Sequence, residues 1–407
     1  MTRRVASQLH EIEGGVTAPC GFEAAGVRCG LKQRGNDLAL VYSVAPAVAA
    51  GVFTTNRVQA APVLLCKDRL ARGGPVHGVI VNAGSANACT GRAGYDDAVR
   101  MAELVADALA VPEHAVLVCS TGVIGQRLPM DKIEGGIRQA VASLVPDGGA
   151  DAAAAILTTD TRPKSVAVEF ELAGRPVRVG GMAKGSGMIA PNLATMLAFL
   201  TTDAELSLEL AQACLSSSVE RSFNRITVDG DTSTNDTVLL LANSQAEAGP
   251  VTPRWGLARF QAALDFVTAH LARAVVADGE GASRVMEIRV RGAFNEREAL
   301  RIARTMAESP LVKTALAGGD PNWGRLLAAA GRAGVRFRPE AVELFLGDVR
   351  VVTEGAVCTF DPKAAARAVG GKEVRVVLDL HAGAAEATMW TCDFTAEYVR
   401  INADYHT

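Results

Sequence analysis

The stretch KGSGMIAPNLATMLAFLTTD, residues 184–203, decides how the rest of the chain is read. A turn rich in glycine and proline (Gly185, Gly187, Pro191, Asn192) runs into the apolar run 196–200, which reads as a buried strand. Thr195 therefore stands at the mouth of a core strand, directly after the small Ala194. Its hydroxyl can attack the Ala194 carbonyl, moving the acyl group from nitrogen to oxygen and leaving an ester for water to hydrolyse. Such an intramolecular attack gains from an effective concentration of about 10⁵–10⁸ M when the groups are aligned. The product is an N-terminal threonine whose α-amine, with an ordinary pKa of about 8, can act as base to its own hydroxyl. Taken alone, an Ala-Thr pair reads as a plain turn into a strand, so the remainder of the chain has to discriminate.

The chain has 407 residues, 49% hydrophobic and 21% charged, enough for two or three cores. Its 41 basic and 44 acidic residues leave a formal charge of -3, which offers no general attraction for nucleic acid or anionic lipid. No apolar run is long enough to predict a membrane span. The start, MTRRVASQLHEIEGG, lacks the apolar segment of a signal peptide, and Glu11 and Glu13 argue against a transit peptide, so a cytoplasmic location is expected. Eight scattered cysteines without a CxxC pair predict reduced thiols rather than a disulfide framework or a metal site.

Strands are expected at 38–53, 77–81, 115–118, 164–172, 237–241, 284–290 and 374–380. Helices are expected at 96–110, from a cap at Ser207 to Val219, at 254–275, from Asn295 or Glu296 to Met306, and at 322–333. The loops NAGSANACTG (82–91), CSTGVIGQ (119–126) and DGDTSTND (229–236) interrupt them. No fixed-period repeat is present, and a domain boundary is expected near Gly281.

Several familiar motifs fail. In GGMAKGS the lysine precedes the last glycine, the wrong order for a phosphate loop, and no GxGxxG opens a helix. DGDTSTND lacks the glycine and glutamate of a calcium loop, and reads as a turn at a strand entrance or as part of a site wall. No histidine lies in a GxSxG elbow. A threonine nucleophile needs oxyanion donors, a cation for an acidic substrate and a carboxylate for an amine. Thr121 and Gly122, expected in a turn after a strand, can supply a hydroxyl and a backbone N–H. Lys184, expected in the glycine-rich loop, can hold a carboxylate, and Glu280, expected on an open turn, can face an amine.

These residues, with GGVTAPCGFEAAGV (14–27), TTDTRPK (158–164), SFNRITVDGDTSTNDT, DGEGAS, GGDPNWGRLLAAAGRAG (318–334) and NADYHT, resemble the ornithine acetyltransferases, or glutamate N-acetyltransferases, of arginine biosynthesis. The resemblance covers nearly the whole chain. It implies an α/β fold, a layered αββα sandwich related to self-processing aminopeptidases, with a smaller C-terminal α/β domain at about 282–407. It implies autocatalytic cleavage between Ala194 and Thr195 into an α chain (1–194) and a β chain (195–407), which associate as a heterotetramer of two of each. The implied reaction moves acetyl from N2-acetyl-L-ornithine to L-glutamate through an acetyl-threonine on Thr195, with Thr121 and Gly122 as oxyanion hole. The positions matching substrate contacts are Thr158, Lys184, Thr195, Glu280, Asn402 and Thr407. No cofactor or metal is implied; acetyl-CoA stays open as a second donor, and a threonine-nucleophile amidase or aminopeptidase stays open as the alternative. Leu193, where the family often has methionine, is a mild departure.

Overall fold

The structure is a computed structural model that describes residues 9–190 and 196–404. Ala194, Thr195 and Thr407 lie outside the described residues. In chain order, β1 (His10–Ile12), β2 (Phe22–Val27) and the long β3 (Leu38–Phe53) lead to α1 (Ala61–Arg72), β4 (Val76–Ser85), α2 (Gly91–Leu109) and β5 (Val116–Val123). Then come α3 (Met130–Ala142), α4 (Gly149–Ala155), the hairpin β6 (Lys164–Leu172) and β7 (Arg175–Lys184), β8 (Leu197–Thr202) and α5 (Leu208–Arg221). After β9 (Ile226–Thr227) and β10 (Thr237–Ala242), α6 (Leu257–Ala277) precedes β11 (Val285–Ala293). The chain finishes with α7 (Glu296–Ala307), α8 (Pro310–Ala317), α9 (Trp323–Gly331), β12 (Glu343–Leu346), β13 (Val349–Thr353), β14 (Ala356–Val357), α10 (Pro362–Gly370), β15 (Glu373–Asp379), β16 (Ala385–Cys392) and α11 (Ala396–Asp404).

Alternation along the strands builds four layers, because successive side chains of a strand point to opposite faces. Leu200 and Leu240 face α5 and α6, whereas Phe199, Leu239 and Leu241 face inward. Leu40, Ile80 and Val118 face α2 and α3, whereas Val41, Val81 and Leu117 face inward to meet them. The result is an αββα sandwich. Strand β3 serves both sheets: its first half pairs with β2 and β4, its second half with β10, and the register shifts between Tyr42 and Ala47 where it bends.

A separate seven-stranded sheet outside the sandwich, ordered β14-β13-β12-β15-β11-β16-β9, carries its own core, in which Ile288, Val376 and Met389 pack on Ile302 and Met306 of α7. Helix caps follow local chemistry: Ser207 accepts from Leu210 N, Asn295 from Glu298 N and Asn322 from Arg325 N. No described helix is long and apolar enough to cross a membrane.

One line of register fixes the position of the site. Lys184 pairs with Leu197, Leu197 with Thr237, and Thr237 with Phe53. The end of β7 and the starts of β8 and β10 therefore share one edge of the sandwich.

Candidate active site

At that edge a cavity of about 120 Å³ is lined by Thr121, Gly122, Thr158, Lys184, Glu280 and Asn402, six of the residues singled out above, drawn from separate segments. Two placements differ from expectation. Thr121 and Gly122 lie inside β5 rather than in a turn, because the strand continues to pair with Gly84 and Ser85 of β4. Lys184 ends β7 rather than sitting in a loop. Gly122 has φ 129°, and a Cβ there would lie 2.4 Å from the carbonyl carbon of Gly84, so only glycine lets the two strands approach this closely.

The cationic end is built on Lys184, which is 2% exposed. Its Nζ donates to Thr158 Oγ1 at 2.7 Å and Thr121 Oγ1 at 3.4 Å, and lies 3.8 Å from Asp160 Oδ2. Burial pulls the ammonium below its ordinary range, opposed mainly by the Asp160 charge. Burial alone would raise Asp160, but Lys184, Lys164 and the Gly185 amide outweigh it and bring the carboxyl down to about 2.

Another part of the lining is acidic. Glu280, expected on an open turn, is buried: its N–H donates to Ser186 O at 2.9 Å, and Asn402 Nδ2 donates to its Oε2 at 2.8 Å. Gly187 packs against it so closely that a Cβ would sit 2.3 Å from Oε2. Beside it, Asp229 accepts from the amides of Met188 and Ile189 at 2.5 and 2.8 Å and from Tyr398 Oη at 3.4 Å. Burial nonetheless pushes the Asp229 carboxyl up to about 6.

The third wall is the loop 229–236. Asn235 Nδ2 donates to Ala86 O and Ser120 O at 2.6 and 2.7 Å, clamping the loop to the ends of β4 and β5. Asp236 Oδ1 accepts from the N–H of Met196 at 2.8 Å, while its buried Oδ2 has no hydrogen-bond partner among the described residues. Burial drives this carboxyl well above its ordinary range.

Chemically, the cavity offers a cation and hydroxyls for a carboxylate, and carboxylates for an ammonium. Thr121 and Gly122 line the same space. Asp160, Asp229, Asn235, Asp236 and Tyr398 were not singled out from the sequence. The signals were present: Asp160 lies in TTDTRPK, three of the five fill the polar loop 229–236, and Tyr398 precedes Asn402 by one helical turn.

The model of the ArgJ family matches residues 23–407. The arginine biosynthesis bifunctional protein ArgJ of Symbiobacterium thermophilum is 50% identical over 402 residues, 97% of this chain and 99% of its own. Its namesake from Synechococcus sp. is 50% identical over 408 residues, 98% of each chain. Among solved structures, the ornithine acetyltransferase of Mycobacterium tuberculosis complexed with ornithine aligns at a TM-score of 0.42 and 46% identity, covering 46% of this chain and 100% of that one. With a family match across nearly its whole length and relatives at half identity, this chain belongs to the ArgJ family.

Proposed function

We propose that the chain is a self-cleaving acetyltransferase of arginine biosynthesis that moves acetyl from N2-acetyl-L-ornithine to L-glutamate. The observation that carries this reading is one cavity that brings together Lys184, hydrogen-bonded to Thr158, and Glu280, hydrogen-bonded to Asn402. That polarity suits an amino acid whose α-carboxylate and side-chain ammonium lie several bonds apart.

In the first stage Thr195 Oγ attacks the Ala194 carbonyl carbon, and its proton ends on the departing Thr195 nitrogen. Water then hydrolyses the ester, leaving an Ala194 carboxylate and a Thr195 α-amine. In the second stage the α-amine takes the Thr195 hydroxyl proton as the oxygen attacks the acetyl carbonyl of the donor. The Gly122 N–H and the Thr121 hydroxyl stabilise the oxyanion. Collapse transfers the proton to the leaving α-amine of ornithine, and glutamate takes the acetyl group by the reverse sequence. Lys184, Thr158, Asn402 and Thr407 hold the amino-acid part, and Glu280 faces the side-chain amine.

The two pieces stay together because β7 and β8, on either side of the cut, are hydrogen-bonded from Val179–Thr202 to Lys184–Leu197. Every residue of β8 is buried, and exposing each Leu or Phe costs about 2 kcal/mol. The expected assembly is a heterotetramer of two α and two β chains, with light scattering as its check.

Fresh protein on a denaturing gel should show two fragments; a single band at 42.4 kDa refutes the cleavage. Thr195→Ala should stay uncut and inactive. Assays with N2-acetylornithine, with and without glutamate, should show transfer outpacing hydrolysis, whereas the amidase alternative requires equal rates. Acetyl-CoA, run in parallel as donor, decides whether the enzyme takes it.

A further inference from the structure

Asp160 touches the cavity nowhere, yet everything at the cationic end is tied to it. Its side chain is fully buried. Oδ1 accepts from Lys164 Nζ at 2.6 Å and from the Gly185 N–H at 2.7 Å. Oδ2 accepts from the Thr158 N–H at 3.1 Å and lies 3.8 Å from Lys184 Nζ. One carboxylate thus holds the backbone beside both partners of the Lys184–Thr158 hydrogen bond. It is also the carboxylate in ion-pair range of Lys184 among the described residues.

Lys164 does not relieve Asp160 of this role. It is shared between Asp160 and Asp278, at 2.6 Å from each, and Asp278 also accepts from the Thr161 N–H at 3.0 Å. Two lysines therefore face two carboxylates in a dry cluster. If Asp160 loses its charge, Lys164 keeps Asp278, while Lys184 keeps its hydroxyl partners but no carboxylate in ion-pair range among the described residues. A buried, unpaired ammonium gives up its proton rather than stay charged.

We propose that Asp160 is the positioning residue of the cationic end: it keeps Lys184 charged and aligned with Thr158, and so sets the affinity for the substrate carboxylate without contacting it. The inference rests on the acetyltransferase reading above. The groups facing Lys184 are Asp160, Lys164 and, at longer range, Glu280 and Asp236; Lys32, whose Nζ donates to Leu157 O at 2.8 Å, adds a further positive charge behind the cluster. Lys164, Lys32 and the loss of water favour the neutral amine, and Asp160 is the nearest group opposing them.

The test is the pH profile of KM for N2-acetylornithine and for glutamate in wild type, Asp160→Asn and Asp160→Glu. For Asp160→Asn, both KM values should rise about tenfold or more at pH 7.5, with kcat changed several-fold less. Its KM should also begin to climb at lower pH than in wild type, because Lys184 then deprotonates sooner. Asp160→Glu, which keeps the charge, should restore much of the wild-type profile. An Asp160→Asn enzyme with wild-type KM across the pH range overturns the inference, as does Asp160→Glu behaving like Asp160→Asn. If the variants fail to fold, the wild-type curve still decides: no rise in either KM from pH 6 to 8.5 is expected, and a steep rise through pH 7 overturns the inference. A wild-type enzyme that transfers no acetyl group refutes the acetyltransferase reading itself, a result distinct from all of these.

Discussion

Asn402 and Glu280 meet through a 2.8 Å hydrogen bond from Nδ2 to Oε2, although 122 residues separate them. The C-terminal helix thereby closes the acidic end of the cavity, with Tyr398 one turn earlier on the same side. A hydrogen bond from an amide orients the carboxylate without neutralising it.

Glu280→Gln removes the charge but keeps the size. The donor's ammonium then loses a charged partner worth roughly 1.5–3 kcal/mol, so donor KM should rise about 10- to 100-fold. KM for glutamate, which has no side-chain ammonium, should change far less. Steady-state kinetics with each substrate varied in turn check this, and equal changes in both would mean that Glu280 acts on the fold rather than on the amine.

Gly122→Ala should damage both cleavage and stability. The residue needs φ 129° and leaves no room for a Cβ beside Gly84, so β5 must move away from β4. Strain of this kind costs about 1–3 kcal/mol, and a misplaced oxyanion donor costs about 10²–10³ in rate. A time course of fragment formation, paired with a thermal melt, should show slow cleavage and a lowered Tm. Wild-type cleavage with a normal melt would remove Gly122 from the oxyanion hole.

Asp229 carries a pH dependence whose sign follows from burial. Its carboxyl is raised to about 6 in the fold against 3.8 in an unfolded chain, so the native state holds the extra proton between these values. Its contribution to stability is present below pH 3.8 and lost as pH rises through about 6, at most about 3 kcal/mol. Binding runs the other way. Asp231, Glu280, Tyr398 and, further back, Lys313 face Asp229, and ionising it adds a negative charge to the acidic end. Donor KM should fall about fivefold between pH 5 and pH 7.5, the effect of roughly 1 kcal/mol of Coulomb energy. A donor KM that is flat across this range would separate Asp229 from the ammonium site.

Much of the sandwich was legible because its signals are local. The Val- and Ala-rich run 38–53 became one strand, and Ser207 and Asn295 cap helices as their side chains predict. The site was less legible, because its geometry depends on partners distant in sequence. Gly122 reads as a turn until Gly84 is placed beside it, and Lys184 reads as loop until Leu197 pairs with it. Glu280 reads as solvated because nothing nearby in the chain shows that α11 will cover it. Asp160 is the extreme case: its four partners are two lysines and two amides on different elements, and no spacing announces that.

The buried Lys313 gives a last separable test. It is 1% exposed, its Nζ donates to Thr391 Oγ1 at 2.7 Å and to Cys392 O, and it sits 4.6 Å from the centre of the Phe394 ring. Its own carbonyl accepts from Phe394 N at 3.2 Å. Lys313 thus pins the last residues of β16 where the chain turns into α11, which delivers Tyr398 and Asn402 to the cavity. Lys313→Met keeps the length but leaves the Thr391 hydroxyl and the Cys392 carbonyl without this donor, at a cost of about 1–3 kcal/mol. The loss should loosen α11 and raise donor KM several-fold, because Asn402 then orients Glu280 less well. Cleavage before residue 195 should proceed at the wild-type rate, since neither Glu280 nor Asn402 takes part in it. Gel time courses and donor kinetics on one preparation distinguish the two effects, and slowed cleavage with unchanged KM would show that this anchor serves the cut rather than the substrate.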